Sequence, residues 1–198
     1  MGAKPSIGQG EITEAALELA AQYKWRDITL SQISNIVGIS LSQLISFFPS
    51  KNALVVRIME DTTRAVVNNT DQDNIYESPR DRLFDILRRR IEVLSPNKIA
   101  IKSIIQEISS SPVDALCLAP ELFKQFRNTL EVVGFDSTGL SGQLRVHGVA
   151  AIYVAALFVW FRDDSNDMGK TTAFLDRRLK QFKHLFETES NENPMKPG

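Results

Sequence analysis

Apolar positions recur along most of the chain with the spacing of a helix face. Ile12, Ala15, Ala16, Leu19, Ala20 and Tyr23 form one such stripe, at i, i+3, i+4, i+7, i+8 and i+11. Thr29 and Gln32 have the spacing of a capping box, in which a hydroxyl and a side-chain amide each satisfy the other residue's exposed backbone amide. They open a short helix with Leu30, Ile33, Ile36 and Val37 on one side. Gly38 follows, where a helix end calls for a residue tolerant of positive φ. Ser40 and Gln43 repeat the box, and a third helix carries Leu41, Leu44, Ile45 and Phe48 as its apolar stripe. Pro49 stops it, and Ser50 caps a fourth helix over 51–69.

Residues 68–78 are polar and turn-rich and mark the segment boundary. Pro79 suits a first helical turn and precedes the stripe Leu83, Phe84, Leu87, Ile91 and Leu94. After a break at 95–97, Ile101, Ile104, Ile105 and Ile108 predict a sixth helix. Residues 113–133 are helical in pattern, but Pro120 removes a hydrogen bond to Leu116, which predicts a kink or two pieces. A loop at 134–142 leads to a helix over 143–162 that is apolar almost all round and therefore buried on several sides. Residues 163–167 form a turn in which the aspartates act as caps, and 168–186 a last amphipathic helix. No segment alternates with period two. The expectation is an all-α protein of about nine helices: a flexible arm at 1–10, a first domain at 11–57 extended by the fourth helix to about 69, a second domain at 70–187, and a disordered tail at 188–198.

Composition narrows the function classes. The 198 residues are 43% hydrophobic and 24% charged, with a net charge of −1, which excludes a globally basic nucleic-acid binder but leaves room for a local surface. Cys117 has no disulfide partner, lies among apolar neighbours and reads as inert. His147 and His184 are far apart, and no ligand spacing suggests a metal; His147 reads as a packed or interfacial side chain. There is no Gly-rich phosphate loop and no nucleophile–base spacing, so neither a cofactor nor an enzyme activity is expected. The longest apolar run, 149–161, is too short to span a bilayer, which points to a cytoplasmic chain without stable membrane insertion. Arg88, Arg89 and Arg90 read as a solvated helix face, with Asp81, Asp85 and Glu92 at pairing distances.

The two short capped helices joined through Gly38 have the arrangement of a helix-turn-helix, which lays its second helix in the DNA major groove. The residues off the apolar stripe are Ser40, Ser42, Gln43 and Ser46; Gln bonds an adenine edge and Ser reaches bases or phosphates. Lys51 is the candidate phosphate contact. The stretch from Ile12 to Leu54 resembles the N-terminal domain of TetR-family transcriptional regulators, through Thr29, Ile33, Ser34, Gly38, Ile39, Ser40, Phe48, Lys51 and Leu54. The resemblance implies an all-α homodimer bound to a palindromic operator, with Thr29 among the DNA-binding residues, and a C-terminal domain that binds a small molecule. The chain departs from the family pattern in one respect: residues 29–50 carry no charge. Residues 1–70 hold six basic side chains (Lys4, Lys24, Arg26, Lys51, Arg57, Arg64) against six acidic ones (Glu11, Glu14, Glu18, Asp27, Glu60, Asp61).

The C-terminal half resembles the lipid-binding proteins of coenzyme Q biosynthesis, which share the TetR-like fold with a helix-turn-helix that no longer works on DNA. The matching features are the long apolar helix, the turn Asp163 to Asp167 and the run Phe174 to Leu179. Those proteins have a further amphipathic membrane helix, and the residues after Phe186 show no apolar face. The apolar cavity that both families imply has Phe84, Leu87, Phe123, Phe126, Tyr153 and Trp160 as candidate lining. Gly148, Ala151 and Ala155, small residues on one helix, are the preferred dimer contact; the family's pairing through its last two helices adds Phe174 and Arg178. The expected function is a ligand-responsive TetR-type regulator, with a lipid- or isoprenoid-binding accessory protein of ubiquinone biosynthesis as the alternative.

Overall fold

The computed structural model describes residues 7–68 and 78–181, so the expectations for the first residues of the arm, for 69–77 of the segment boundary, for the end of the last helix and for the tail lie outside the described residues. Those residues contain nine α-helices and no strand, as the periodicity predicts. They are α1 (Gln9–Gln22), α2 (Leu30–Val37), α3 (Leu41–Phe47), α4 (Lys51–Asn68), α5 (Pro79–Leu94), α6 (Lys98–Ser110), α7 (Pro112–Val133), α8 (Gly139–Trp160) and α9 (Gly169–Gln181). Short 3-10 turns at Trp25–Asp27 and Ser95–Asn97 lead into α2 and α6.

The chain divides into two compact units. The first takes its residues from 1–69 and 92–121, the second from 70–91 and 122–198. Residues 92–121 thus pack with the N-terminal helices, whereas the sequence suggested that they belong with the C-terminal ones.

In the first unit, Ile12, Ala16, Ile33, Leu44 and Leu54 are fully buried. Complete burial of a branched aliphatic side chain contributes roughly 1.5–3 kcal/mol. Helix α6 lies along α1. Ser103 joins the two, accepting from the Trp25 amide at 2.9 Å and donating to the Tyr23 carbonyl at 3.3 Å. Trp25 itself is buried.

In the second unit, the core draws Leu83, Leu87 and Ile91 from α5, Phe126, Leu130 and Val133 from α7, Val149, Ala156 and Trp160 from α8, and Leu175 and Leu179 from α9. Helix α7 is one helix through Pro120, not two pieces. A proline inside a helix costs about 3 kcal/mol, and here the burial of Phe126, Leu130 and Val133 on the following turns offsets that loss. Helix α8 starts earlier than its apolar pattern, at Gly139, whose φ of +64° suits glycine, with extended Thr138 before it. It is long and apolar enough to cross a membrane by length and composition, and half of its most apolar window is buried inside the protein.

Between α8 and α9, the Asp163 carboxylate is 2% exposed. It accepts from the amide and hydroxyl of Ser165 and from the amide and hydroxyl of Thr171, the last two at 2.8 and 2.7 Å. Burial pushes its pKa up, but these four bonds outweigh that effect and hold the carboxyl well below the usual range. Cys117 is exposed, not enclosed by the apolar neighbours its sequence context suggests.

Candidate functional site

The helix pair α2 and α3 is built by local hydrogen bonding. Thr29 Oγ accepts from the Gln32 amide at 3.2 Å, and Gln32 Oε1 accepts from the Thr29 amide at 2.7 Å, closing the capping box that starts α2. Gly38 ends α2 in the left-handed region, with φ of +75°. Ser40 Oγ then accepts from the Gln43 amide at 3.1 Å and starts α3. Leu44 and Phe48 anchor α3 from one side.

These roles change what each candidate offers a ligand. Thr29 and Ser40 hold their own helices in place. The Ser46 hydroxyl donates to the Gln43 carbonyl at 2.7 Å. Ser42 and Gln43 are exposed, and among the described residues no intramolecular bond engages their side chains. Leu41 and Ile45, read from the sequence as core, are 42% and 44% exposed. The stripe fails because α3 is only seven residues long: Leu44 and Phe48 already supply its buried edge, and Leu41 and Ile45 are left at the margin.

Lys51 does not hold a free ammonium out for phosphate. Its Nζ donates to the carbonyls of Trp25 at 2.5 Å and Ile28 at 2.9 Å, and lies 5.0 Å from the centre of the Trp25 ring. Burial lowers its pKa, and the charges of Glu107, Asp114 and Asp27 partly restore it. The physical reason is local. The chain between Trp25 and Ile28 exposes carbonyls, and Lys51 opens the next long helix beside them. Arg57 and Arg64 both pair with Asp61, at 2.9 and 2.7 Å.

In the second unit, Leu87, Phe126, Tyr153 and Trp160 are buried, whereas Phe84 and Phe123 are partly exposed. Phe126 and Tyr153 meet edge to face at 5.2 Å. The sequence missed the group between them. Arg90 is 2% exposed, its guanidinium 5.3 Å from the Phe126 ring and 5.5 Å from that of Tyr153. Its Nη2 donates to the buried Gln125 Oε1 at 2.8 Å. Burial raises the Tyr153 pKa, with the Arg90 charge opposing it. Arg88 and Arg89 pair with Asp85, at 3.2 and 2.6 Å, so the solvated-face reading fails for Arg90. The signal lay in the pattern: Arg90 stands three residues after Leu87 and seven after Leu83, on the buried stripe.

The dimer candidates lie on α8 and α9, which pack against each other. Ala151, Ala155 and Arg178 are exposed, and Gly148 and Phe174 partly so. Arg178 lies over the Phe174 ring at 5.2 Å. Leu140, at 86% exposure, and Leu144 continue the outer face of α8. His147 stands on that face with its ring 4.3 Å from that of Phe123.

Solved structures place this architecture. A TetR transcriptional regulator from Nitrosomonas europaea superposes with a TM-score of 0.71 at 18% identity, over 87% of this chain and 96% of the other. One from Rhodococcus sp. RHA1 does so at 0.68 and 19%, over 92% and 99%. The chain has the TetR fold. A third structure, the Bacillus subtilis transcriptional regulator FadR in complex with stearoyl-CoA, matches at 0.64 and 13%, over 87% and 98%. Residues 129–185 match the COQ9 family model, a span that holds the long apolar helix, the turn at 163–167 and the run 174–179 but not residues 80–128, over which the resemblance to the coenzyme Q proteins also extends. Comparison with curated protein sequences gives no match. Within the TetR fold, α2 and α3 are the helix-turn-helix, and the described residues hold no cluster of potential metal ligands.

Proposed function

We propose that the protein is a homodimeric, cytoplasmic DNA-binding regulator of TetR type, a repressor released by an apolar small molecule. The observation that carries this reading is the intact reading head. Two capped helices meet at the left-handed Gly38, and the second leaves Ser42 and Gln43 exposed with their side chains uncommitted. In this reading α3 enters the major groove and Gln43 bonds an adenine edge. Pairing through the outer faces of α8 and α9 gives the two-fold axis and a palindromic operator.

The ligand site is the aromatic core of the second unit, around Phe126, Tyr153 and Trp160. The stearoyl-CoA held by the Bacillus subtilis FadR supports a long-chain acyl class. Release from DNA then requires tighter ligand binding to the state that does not fit the operator. Selection of fragments from the protein's own genome by the purified protein, near 0.1 M salt, tests this reading. One enriched palindrome is expected, and no enrichment at low salt as well contradicts it.

A second reading, a lipid- or isoprenoid-binding accessory protein without a DNA role, is favoured by the COQ9 match at 129–185 and the uncharged stretch 29–50. Failed selection together with a co-purifying lipid identified by mass spectrometry establishes it instead.

A further inference from the structure

Resting on the reading that α3 lies in a major groove, we infer that Leu41 and Ile45 read bases, and that their partners are thymine 5-methyl groups. The polar side chains that α3 and its cap offer are few. The hydroxyls of Thr29, Ser40 and Ser46 are engaged within their own helices, leaving Ser42 and Gln43. Lys24 and Arg26 stand exposed ahead of α2, and α3 itself carries no ionic group. Lys51 faces two carbonyls, Arg57 and Arg64 share Asp61, and residues 29–50 hold no charge.

What α3 does present is a pair of branched aliphatic side chains one turn apart, 42% and 44% exposed, beside Ser42 and Gln43. In the major groove the apolar group on a base edge is the thymine methyl, and the side-chain amide of Gln matches adenine N6 and N7. Leu41, Ile45 and Gln43 therefore favour the same base pair. The operator half-site carries A·T pairs beneath α3, and apolar burial supplies part of the affinity that phosphate contacts supply in a basic reading head.

The test uses the full-length protein and a site enriched from a randomised duplex library. Its affinity is compared, at fixed salt, with that for the same duplex carrying deoxyuridine for thymine, which pairs identically but lacks the methyl. The expected loss is about fourfold per contacted methyl, and Leu41→Ala and Ile45→Ala each reduce that loss. Both side chains are more than a third exposed, so the variants are expected to stay folded with a modest fall in melting temperature, and the wild-type comparison stands without them. Equal affinity for both duplexes, a loss unchanged in both variants, or an enriched site lacking A·T pairs overturns this inference and leaves the regulator reading intact. Absence of any enriched site overturns both.

Discussion

The Lys51 ammonium and the Trp25 indole form a latch in the first unit: Nζ lies 5.0 Å from the ring centre while donating to the carbonyl of the same tryptophan. A charge-assisted hydrogen bond contributes about 1.5–3 kcal/mol and a partly buried cation–π contact about 0.5–2. The latch fixes the turn that leads into the helix-turn-helix, so in the proposed DNA-binding reading Lys51 acts through the shape of that helix pair.

Lys51→Ala is accordingly expected to lower stability by about 1–3 kcal/mol, measured by urea denaturation. The slope of log affinity against log salt should stay unchanged, since no phosphate contact is removed. A slope shallower by about one ion with full stability would assign Lys51 to phosphate instead.

Asp163 makes stability depend on acid. Its folded pKa is depressed by the bonds from Ser165 and Thr171, against the opposing effect of burial. The unfolded chain therefore takes up the proton first as pH falls. The contribution is complete above the unfolded value of about 3.9 and disappears as pH drops further, through the folded value. Asp163→Asn should cost roughly 2–4 kcal/mol at pH 7 and flatten the fall in stability below pH 4. Equal acid sensitivity in the two proteins would rule out this role.

Gly142 packs against backbone. A Cβ there would stand 2.1 Å from the Ser137 carbonyl carbon and 2.4 Å from its oxygen. Helix propensity alone favours alanine by about 1 kcal/mol, so the sign decides. Gly142→Ala is expected to destabilise by about 2 kcal/mol or more, read as a fall in melting temperature. A rise would show that the loop at 134–138 yields freely.

Ala155 lies exposed on the outer face of α8, the proposed dimer surface. Ala155→Glu places a charge there and should give monomers in sedimentation velocity, with a wild-type circular dichroism spectrum. A persistent dimer would move the interface away from this face.

Helix placement was legible because each helix carries its own periodicity and punctuation: the Thr29 and Ser40 caps, Gly38 and Pro79 are local signals that tertiary structure does not override. The packing partner of each helix was not. Nothing within residues 98–110 says that α6 lies along α1, because the Ser103 bonds to Trp25 and Tyr23 span nearly eighty residues. The site was half legible for the same reason. Ser42 and Gln43 follow from the helical pattern. The inward turn of Lys51 depends on carbonyls brought to it by the fold, and the exposure of Leu41 and Ile45 on how little of a seven-residue helix the core can cover. Arg90 was hidden by its neighbours, since a run of three arginines looks solvated until the stripe from Leu83 and Leu87 is extended through it.

The most direct measurement is genomic fragment selection performed side by side with the wild-type protein and the Gln43→Ala variant. The wild type should enrich one palindromic site. The variant should recover the same site with relaxed preference at one position in each half, a loss of about 1–3 kcal/mol there. Identical preference from both proteins would remove Gln43 from the reading head, and no enrichment by the wild type, even at low salt, would contradict a DNA-binding function.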